Sequence, residues 1–295
     1  MADVVGVVGL GIMGGAMARN LVTSGWKVFG YDTDTTRRAE LEADGITLCD
    51  SVAALAAETP FIMTSLPSVK AVQATALAIA ATGLPPRIVM EASTLALADK
   101  LAFAEVLTSA GHIPLDCPVS GTGSQAAAKD LVIYASGDSA AIEAVRPCYA
   151  AFTRALHDVG VYGNGTRMKL VANLLVAIHN VATAEAMVLG MKAGLDPAQM
   201  SHLIAAGAGN SRIFELRAPM MAADTYLPAT MKVDIWQKDM DVIGAFATEL
   251  GVPTPTFNAT MPIYAAARAQ GLGAQDTAAV CAVLERMAGI ARTPG

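Results

Sequence analysis

Two hydrophobic patterns divide the chain. In the first half, short apolar runs at residues 4–8, 26–31, 61–65, 87–91 and 112–116 alternate with Ala-rich stretches such as 16–24 and 95–109. Short apolar runs bounded by Gly, Pro and Ser read as buried strands, and the longer runs between them as covering helices. That alternation predicts an α/β unit built on a mostly parallel sheet. Residues 131–135 and 155–159 could add strands. After Gly163-Asn164-Gly165 the pattern changes to helical spacing throughout. The expected helices are 166–193, 197–205, 211–222, 233–250, 258–270 and 275–290. Asp196 before Pro197 is a helix start, and Gly251 before Val252-Pro253 is a stop. We therefore expect a first domain over residues 1–162 and an all-α domain over 163–295.

The turn after the first apolar run carries Gly9-Leu10-Gly11-Ile12-Met13-Gly14. A GxGxxG alone is a weak signal, and a Gly-rich turn can bind nothing at all. Between a strand and a helix, with an acid about 20 residues on, it is the dinucleotide-binding fingerprint. The acid is Asp32, which closes the second apolar run. Gly9 permits a tight turn, Gly11 lets backbone approach a pyrophosphate, and Gly14 lets helix and strand pack closely. The pyrophosphate then meets free N–H groups at a helix N-terminus. Asp32 can accept bonds from both ribose hydroxyls and would repel a 2′-phosphate, so NAD is expected over NADP. Arg37 and Arg38 lie close enough in sequence to keep NADP open.

Composition narrows the partners. The chain has 295 residues, 54% hydrophobic and only 16% charged, which requires extensive burial in cores or between subunits. A net charge of −6 argues against nucleic acid as a general partner. Cys49, Cys117, Cys148 and Cys281 are scattered, without metal-ligand spacing, and read as reduced thiols in the cytoplasm. No metal site is expected. The first strand starts too early to leave room for a targeting peptide. The apolar stretch 170–191 contains Asn173, His179, Asn180 and Glu185, so it reads as a buried helix rather than a membrane span. The four histidines are scattered and read as structural.

A nicotinamide cofactor needs a partner that moves a proton as hydride moves. Lys169 stands near the start of the first long helix after the domain boundary, where it can face a cleft, with Asn173 four residues on and on the same face. A lysine beside an amide can hold one hydroxyl and exchange its proton. The ordinary lysine pKa of about 10.4 is too high for that work, so partial burial or nearby positive charge must lower it. On spacing alone, a lysine so placed is more often a solvated helix residue.

Four motifs, in order, resemble the β-hydroxyacid dehydrogenase family over nearly the whole chain. The stretch from Gly9 to Leu21 resembles its dinucleotide signature. Asp116-Cys117-Pro118-Val119-Ser120-Gly121-Thr122 resembles its substrate loop, where the second position is usually Ala and the last usually Gly. Gly165-Thr166-Arg167-Met168-Lys169-Leu170-Val171-Ala172-Asn173 resembles its catalytic helix, with Ala172 where Asn is common. Asp234-Ile235-Trp236-Gln237-Lys238-Asp239-Met240 resembles the helix that brings a lysine near the cofactor. The resemblance implies a Rossmann domain followed by an all-α substrate and dimerisation domain. It implies Lys169 as general acid/base and Asn173 as the residue orienting the substrate hydroxyl. Ser120, Gly121 and Thr122 would grip the substrate carboxylate. Leu66 and Pro67 would line the adenosine side, Thr94 would lie near the nicotinamide, and Lys238 would stand beside the cofactor with Asp239 supporting it.

The implied activity is hydride transfer between NAD(P) and a short hydroxy acid, in a homodimer or homotetramer. Residues 207–215 and 184–187 resemble the L-threonate dehydrogenase branch, and Asn210, Ser211 and Arg212 offer polar groups for extra hydroxyls. The alternatives are 3-hydroxyisobutyrate, tartronate semialdehyde or succinic semialdehyde as substrate. A non-catalytic dinucleotide-binding module is the alternative of a different class; such a module would have no use for the lysine and the substrate loop.

Overall fold

The computed structural model describes residues 3–292, which form two units, one running to Lys169 and one beginning at Leu170. In the first unit the apolar runs become strands because their β-branched and aliphatic residues can be covered on both faces. The strands are β1 (Val4–Val8), β2 (Lys27–Tyr31), β3 (Thr47–Leu48), β4 (Phe61–Thr64), β5 (Ile88–Glu91), β6 (Ile113–Asp116), β7 (Val119–Ser120), β8 (Leu131–Gly137) and β9 (Thr153–Asp158). They lie in the order 3-2-1-4-5-6-8-7, with β9 pairing β8. Neighbours from β3 to β6 are parallel, and β8 runs antiparallel to β6 and β7. Helices α1 (Ile12–Thr23), α2 (Thr35–Ala43), α3 (Val52–Glu58), α4 (Val69–Ala80), α5 (Leu97–Ser109), α6 (Gly123–Ala127) and α7 (Ser139–Ala150) join them. Side chains of Asp34, Ser51, Ser68 and Asp138 cap α2, α3, α4 and α7, accepting N–H bonds that those helix starts would otherwise leave unmet.

This is a doubly wound sheet, and its direction of winding reverses between β1 and β4. A crevice at the strand ends follows from that reversal, and it is where such sheets bind ligands. The sequence pattern places α1 too late. The helix starts at Ile12, not at residue 16, because Gly11 is its N-cap and the glycine motif itself forms the first turn. The two-residue strands β3 and β7 are too short to leave an apolar run in the sequence.

Helix α8 (Asn164–Lys192) begins in the first unit and continues into the second. The rest of the second unit is α9 (Pro197–Ala205), α10 (Arg212–Ala223), α11 (Val233–Glu249), α12 (Pro255–Ala269), a 3-10 turn at Thr277–Ala279 and α13 (Val280–Met287). The expected last helix over 275–290 is thus a turn followed by a shorter helix. Asp276 breaks it by capping the turn and accepting N–H bonds from Thr230, Met231 and Ala278, with Arg217 paired to it at 3.0 Å. Among the described residues no strand follows β9; an isolated bridge joins Lys232 and Asp276. By length and composition α8 could cross a membrane. Its Leu170, Ala177, Val181, Ala184 and Met187 instead lie in the core of the helical unit with Phe214, Trp236, Phe257 and Tyr264. Buried Asn180 donates to Tyr264 Oη and to the Thr277 carbonyl, both at 2.9 Å, which a lipid-facing helix would not need.

Candidate active site

The dinucleotide cradle can be built from its glycines. Gly9 has φ +89°, a left-handed conformation, and a Cβ there would stand 2.2 Å from the Ser65 carbonyl oxygen. Gly14 is closed in more tightly, since its Cβ would stand 1.9 Å from the Gly9 carbonyl oxygen. Gly11 is the opposite case, with no atom within 4 Å of where its Cβ would be. The space beside it is open, and no side chain caps α1. An uncapped helix N-terminus facing open space suits an anionic phosphate through its orphan N–H groups and dipole.

Asp32, just past the end of β2, faces this turn. Its Oδ2 accepts the Leu10 N–H at 2.6 Å, and its Oδ1 accepts the Asp34 N–H at 2.8 Å. A carboxylate has about four acceptor positions, so both oxygens keep capacity for ribose hydroxyls. Arg37 and Arg38 turn toward protein carboxylates, Arg37 to Asp34 at 3.5 Å and Arg38 to Asp50 at 3.3 Å. Leu66 and Pro67 follow β4, with the Leu66 N–H donated to Ser93 Oγ at 2.8 Å. Thr94 follows directly and is half-buried. The residues present thus fit a dinucleotide.

The loop expected to hold the substrate follows β6. Ser120 ends β7, which pairs antiparallel with β8. Gly121 has φ +142°, and a Cβ there would strike Leu131 at 2.5 Å, so this position requires glycine. Thr122 directs its N–H and hydroxyl to Gln125 Oε1, at 3.1 and 3.3 Å. In the loop as folded, that threonine's donors also serve the loop's own shape.

Lys169 lies on the first turns of α8, and only 7% of it is exposed. A solvated surface lysine is thereby ruled out. The start of its helix is docked on the sheet: the Thr166 N–H and hydroxyl bond the buried Asp116 carboxylate at 2.7 and 2.8 Å, and the Gly165 N–H bonds Ser136 Oγ at 2.9 Å. A Cβ at position 165 would stand 2.3 Å from the Tyr134 carbonyl oxygen, so glycine is needed for this docking. In the second unit, buried Asn173 donates its amide nitrogen to Asp239 Oδ2 at 3.1 Å. That bond orients the amide, leaving its oxygen as the acceptor end. Lys238 is largely exposed, with Nζ 3.9 Å from Asp239 Oδ1.

The segment Asn210-Ser211-Arg212 serves a local purpose. Ser211 caps α10, while Asn210 and Arg212 bond Glu215 at 2.8 and 3.0 Å. These partners account for Asn210 Nδ2, Ser211 and Arg212, while the buried Asn210 Oδ1 has no hydrogen-bond partner. His112 is buried and accepts the Arg87 N–H at 3.1 Å, and burial lowers its pKa, as fits a structural histidine.

One charged group escapes sequence reasoning altogether. Glu91, Lys100 and Asp116 are each fully buried, with the Lys100 ammonium bonded to Glu91 and 3.1 Å from Asp116. Burial works to discharge the ammonium, yet the two carboxylates outweigh it and hold the lysine pKa above its ordinary value. The available signal was a charged residue ending each of two apolar runs.

Residues 4–163 match the family described as the NAD binding domain of 6-phosphogluconate dehydrogenase. Residues 163–284 match the family described as NAD-binding of NADP-dependent 3-hydroxyisobutyrate dehydrogenase. A 2-(hydroxymethyl)glutarate dehydrogenase from Eubacterium barkeri is 30% identical, covering 99% of this chain and 98% of its own. An L-threonate dehydrogenase from Escherichia coli is 32% identical over 94% of this chain and 93% of its own. The crystal structure of 3-hydroxyisobutyrate dehydrogenase from Salmonella typhimurium superposes with a TM-score of 0.85 at 30% identity, covering 95% of this chain and 99% of that one. A cradle built for a dinucleotide and full-length likeness to these enzymes lead to one conclusion: the chain belongs to the β-hydroxyacid dehydrogenase family and is an NAD(P)-dependent hydroxyacid dehydrogenase.

Proposed function

We propose that this enzyme oxidises the hydroxyl of a short hydroxy acid with Lys169 as general acid/base, and that NAD is its preferred cofactor. The observation that carries the reading is the burial of Lys169 at the docked start of α8, one helical turn from Asn173. When bound, the nicotinamide supplies the hydride acceptor. Lys169 Nζ takes the hydroxyl proton as the hydride leaves the carbon, and returns it when the carbonyl is reduced. The Asn173 amide, oriented by Asp239, donates its remaining N–H to the hydroxyl oxygen or accepts from the lysine through its own oxygen. Ser120 and Gly121, with Thr122 shaping the loop, hold the carboxylate. Leu66, Pro67 and Thr94 line the cofactor, and Lys238 stands beside it. In this reading residues 1–162 bind the cofactor and 163–295 serve substrate binding and dimerisation.

L-threonate is the first substrate to test, because the E. coli relative is named for it and residues 207–215 resemble that branch. The bonding of Asn210 Nδ2 and Arg212 to Glu215 narrows the argument from unpaired polar groups to one atom, the buried and unpartnered Asn210 Oδ1. Val171, Leu175 and Leu189 stay exposed along α8, which supports self-association into a homodimer or homotetramer. All four cysteines are free and buried, which suits the cytoplasm.

The deciding measurement is Lys169→Ala. Turnover should fall by about 10²- to 10⁴-fold, while NADH binding stays near that of the unaltered enzyme. A kcat close to that of the unaltered enzyme would place the base elsewhere. A substrate panel of threonate, glycerate, 3-hydroxyisobutyrate and 2-(hydroxymethyl)glutarate settles the acid. A clear kcat/KM advantage for any of the others over threonate would replace that assignment.

A further inference from the structure

The buried Glu91–Lys100–Asp116 group sits at a junction. Glu91 and Asp116 are the last residues of adjacent parallel strands and stand opposite each other in register. Lys100 reaches them from the first turns of α5. Its three N–H donors are all used, on the Glu91 carboxylate, on the Glu91 carbonyl at 3.3 Å and on Asp116 Oδ1 at 3.1 Å. The Lys100 carbonyl in turn accepts the Tyr162 hydroxyl at 3.0 Å, just ahead of α8.

Each carboxylate then spends its remaining capacity on a different part of the site. Glu91 Oε1 accepts the Ser93 N–H at 2.9 Å, and Ser93 Oγ accepts the Leu66 N–H at 2.8 Å. One arm therefore fixes the two loops that would line the cofactor. Asp116 accepts the N–H and hydroxyl of Thr166, and Ser136 Oγ bonds both Asp116 Oδ2, at 3.3 Å, and the Gly165 N–H. The other arm therefore fixes the first turn of α8, and Lys169 is three residues beyond Thr166. The Asp116 carboxyl group meets the N–H end of α8, where the helix dipole favours an acid, so the cluster and the helix start are joined directly.

We propose that Lys100 is a positioning residue for the reaction, acting through Glu91 and Asp116 to hold the cofactor loops and the Lys169 turn of α8 at a fixed separation. A hydrophobic trio of similar volume would fill the space as well, but it would offer no acceptors to Ser93, Thr166 or the start of α8. The proposal rests on Lys169 being the general acid/base.

A double-mutant cycle tests it. Thr166→Val removes a buried hydroxyl and keeps the shape of the side chain. Expected is a fall in kcat of about ten- to a hundredfold, the scale of a small misplacement at a reacting centre. The Kd for NADH should change less than about twofold, since the cradle glycines are untouched. In the Lys169→Ala background the same substitution should lower the residual rate no further, because coupled residues do not add. Lys100→Arg, which keeps the charge, should retain most of kcat, and Lys100→Met should lose it; should Lys100→Met fail to fold, the Thr166 cycle decides. The proposal is overturned if Thr166→Val lowers Tm but leaves kcat per folded molecule unchanged, or if its effect on kcat is fully additive with Lys169→Ala. Near-native kcat in Lys169→Ala alone would sink the general-base reading, and the proposal with it, in a separate arm of the same experiment.

Discussion

Two alanines placed three residues apart in one motif should fail in different ways. Gly11 and Gly14 both belong to the fingerprint, yet the space around them differs completely. At Gly11 an added methyl meets no protein atom within 4 Å, and its φ of −64° and ψ of −164° are open to any residue. The cost to the fold is that of alanine at a helix N-cap, up to about 1 kcal/mol. For a unit of this size that lowers Tm by about 2–4 °C. The same methyl occupies the space through which a pyrophosphate would approach, and overpacking of about 1–3 kcal/mol weakens NADH binding by roughly five- to 150-fold. At Gly14 the methyl would meet the Gly9 carbonyl oxygen at 1.9 Å, a backbone atom that cannot swing aside. Helix α1 must shift off β1, at a cost near the upper end of that range, and Tm should fall on the order of 10 °C. NADH fluorescence titration and thermal melts on both variants make the comparison. Native NADH affinity in Gly11→Ala would refute the assignment of that open space to the pyrophosphate. Equal losses of Tm would refute the steric distinction.

Two more outcomes follow from charge. Asp32→Asn with Thr33→Arg should raise the NADP to NAD ratio of kcat/KM, because the change removes a negative charge and adds a positive one beside the 2′ position. Absolute kcat/KM should drop for both cofactors, since Asp32 also accepts the Leu10 and Asp34 N–H groups; a native preference for NADP would refute the charge argument. Burial pushes the Cys117 and Cys281 thiols up to about 12, whereas unfolded thiols ionise near about 8.5. Between those values the unfolded chain releases protons that the folded chain keeps, so stability falls as pH rises. Melts at about pH 8 and about pH 10.5 should show the lower Tm at the higher pH, with a shallower decline in Cys117→Ala; a Tm that rises with pH would reverse the sign.

What could be read from the sequence was whatever repeats along it or packs next to itself. Strand β1 was legible because every residue from Val5 to Val8 is buried, which leaves an uninterrupted apolar run. The cradle was legible because its three glycines and Asp32 keep fixed spacings around a single turn. The helical second half was legible through its start and stop signals, as at Asp196 and Gly251. The local partners of the segment from Asn210 to Arg212 were not legible, because polar residues at a helix start look alike whether they meet a substrate or a glutamate one turn on. Only the fold reveals Glu215 as their partner.

Lys169 shows where sequence reasoning runs out. A lysine on a helix carries no mark of burial, and its spacing to Asn173 is equally that of a solvated face. What removes the solvated alternative is its burial in the fold, on a helix whose start is docked on Asp116, which pairs in turn with Lys100, a residue 16 positions away on a different element. Such a pairing has no period and no local signature, so no window along the chain can find it. It leaves one trace: Glu91 and Asp116 are acids closing apolar runs, where a strand that simply ended at the surface would not need to bury them. A fully buried acid is costly unless something answers its charge. An acid at the inner end of a buried strand is therefore a reason to look for its cation, and the cation here leads from the sheet to the start of the helix that carries Lys169.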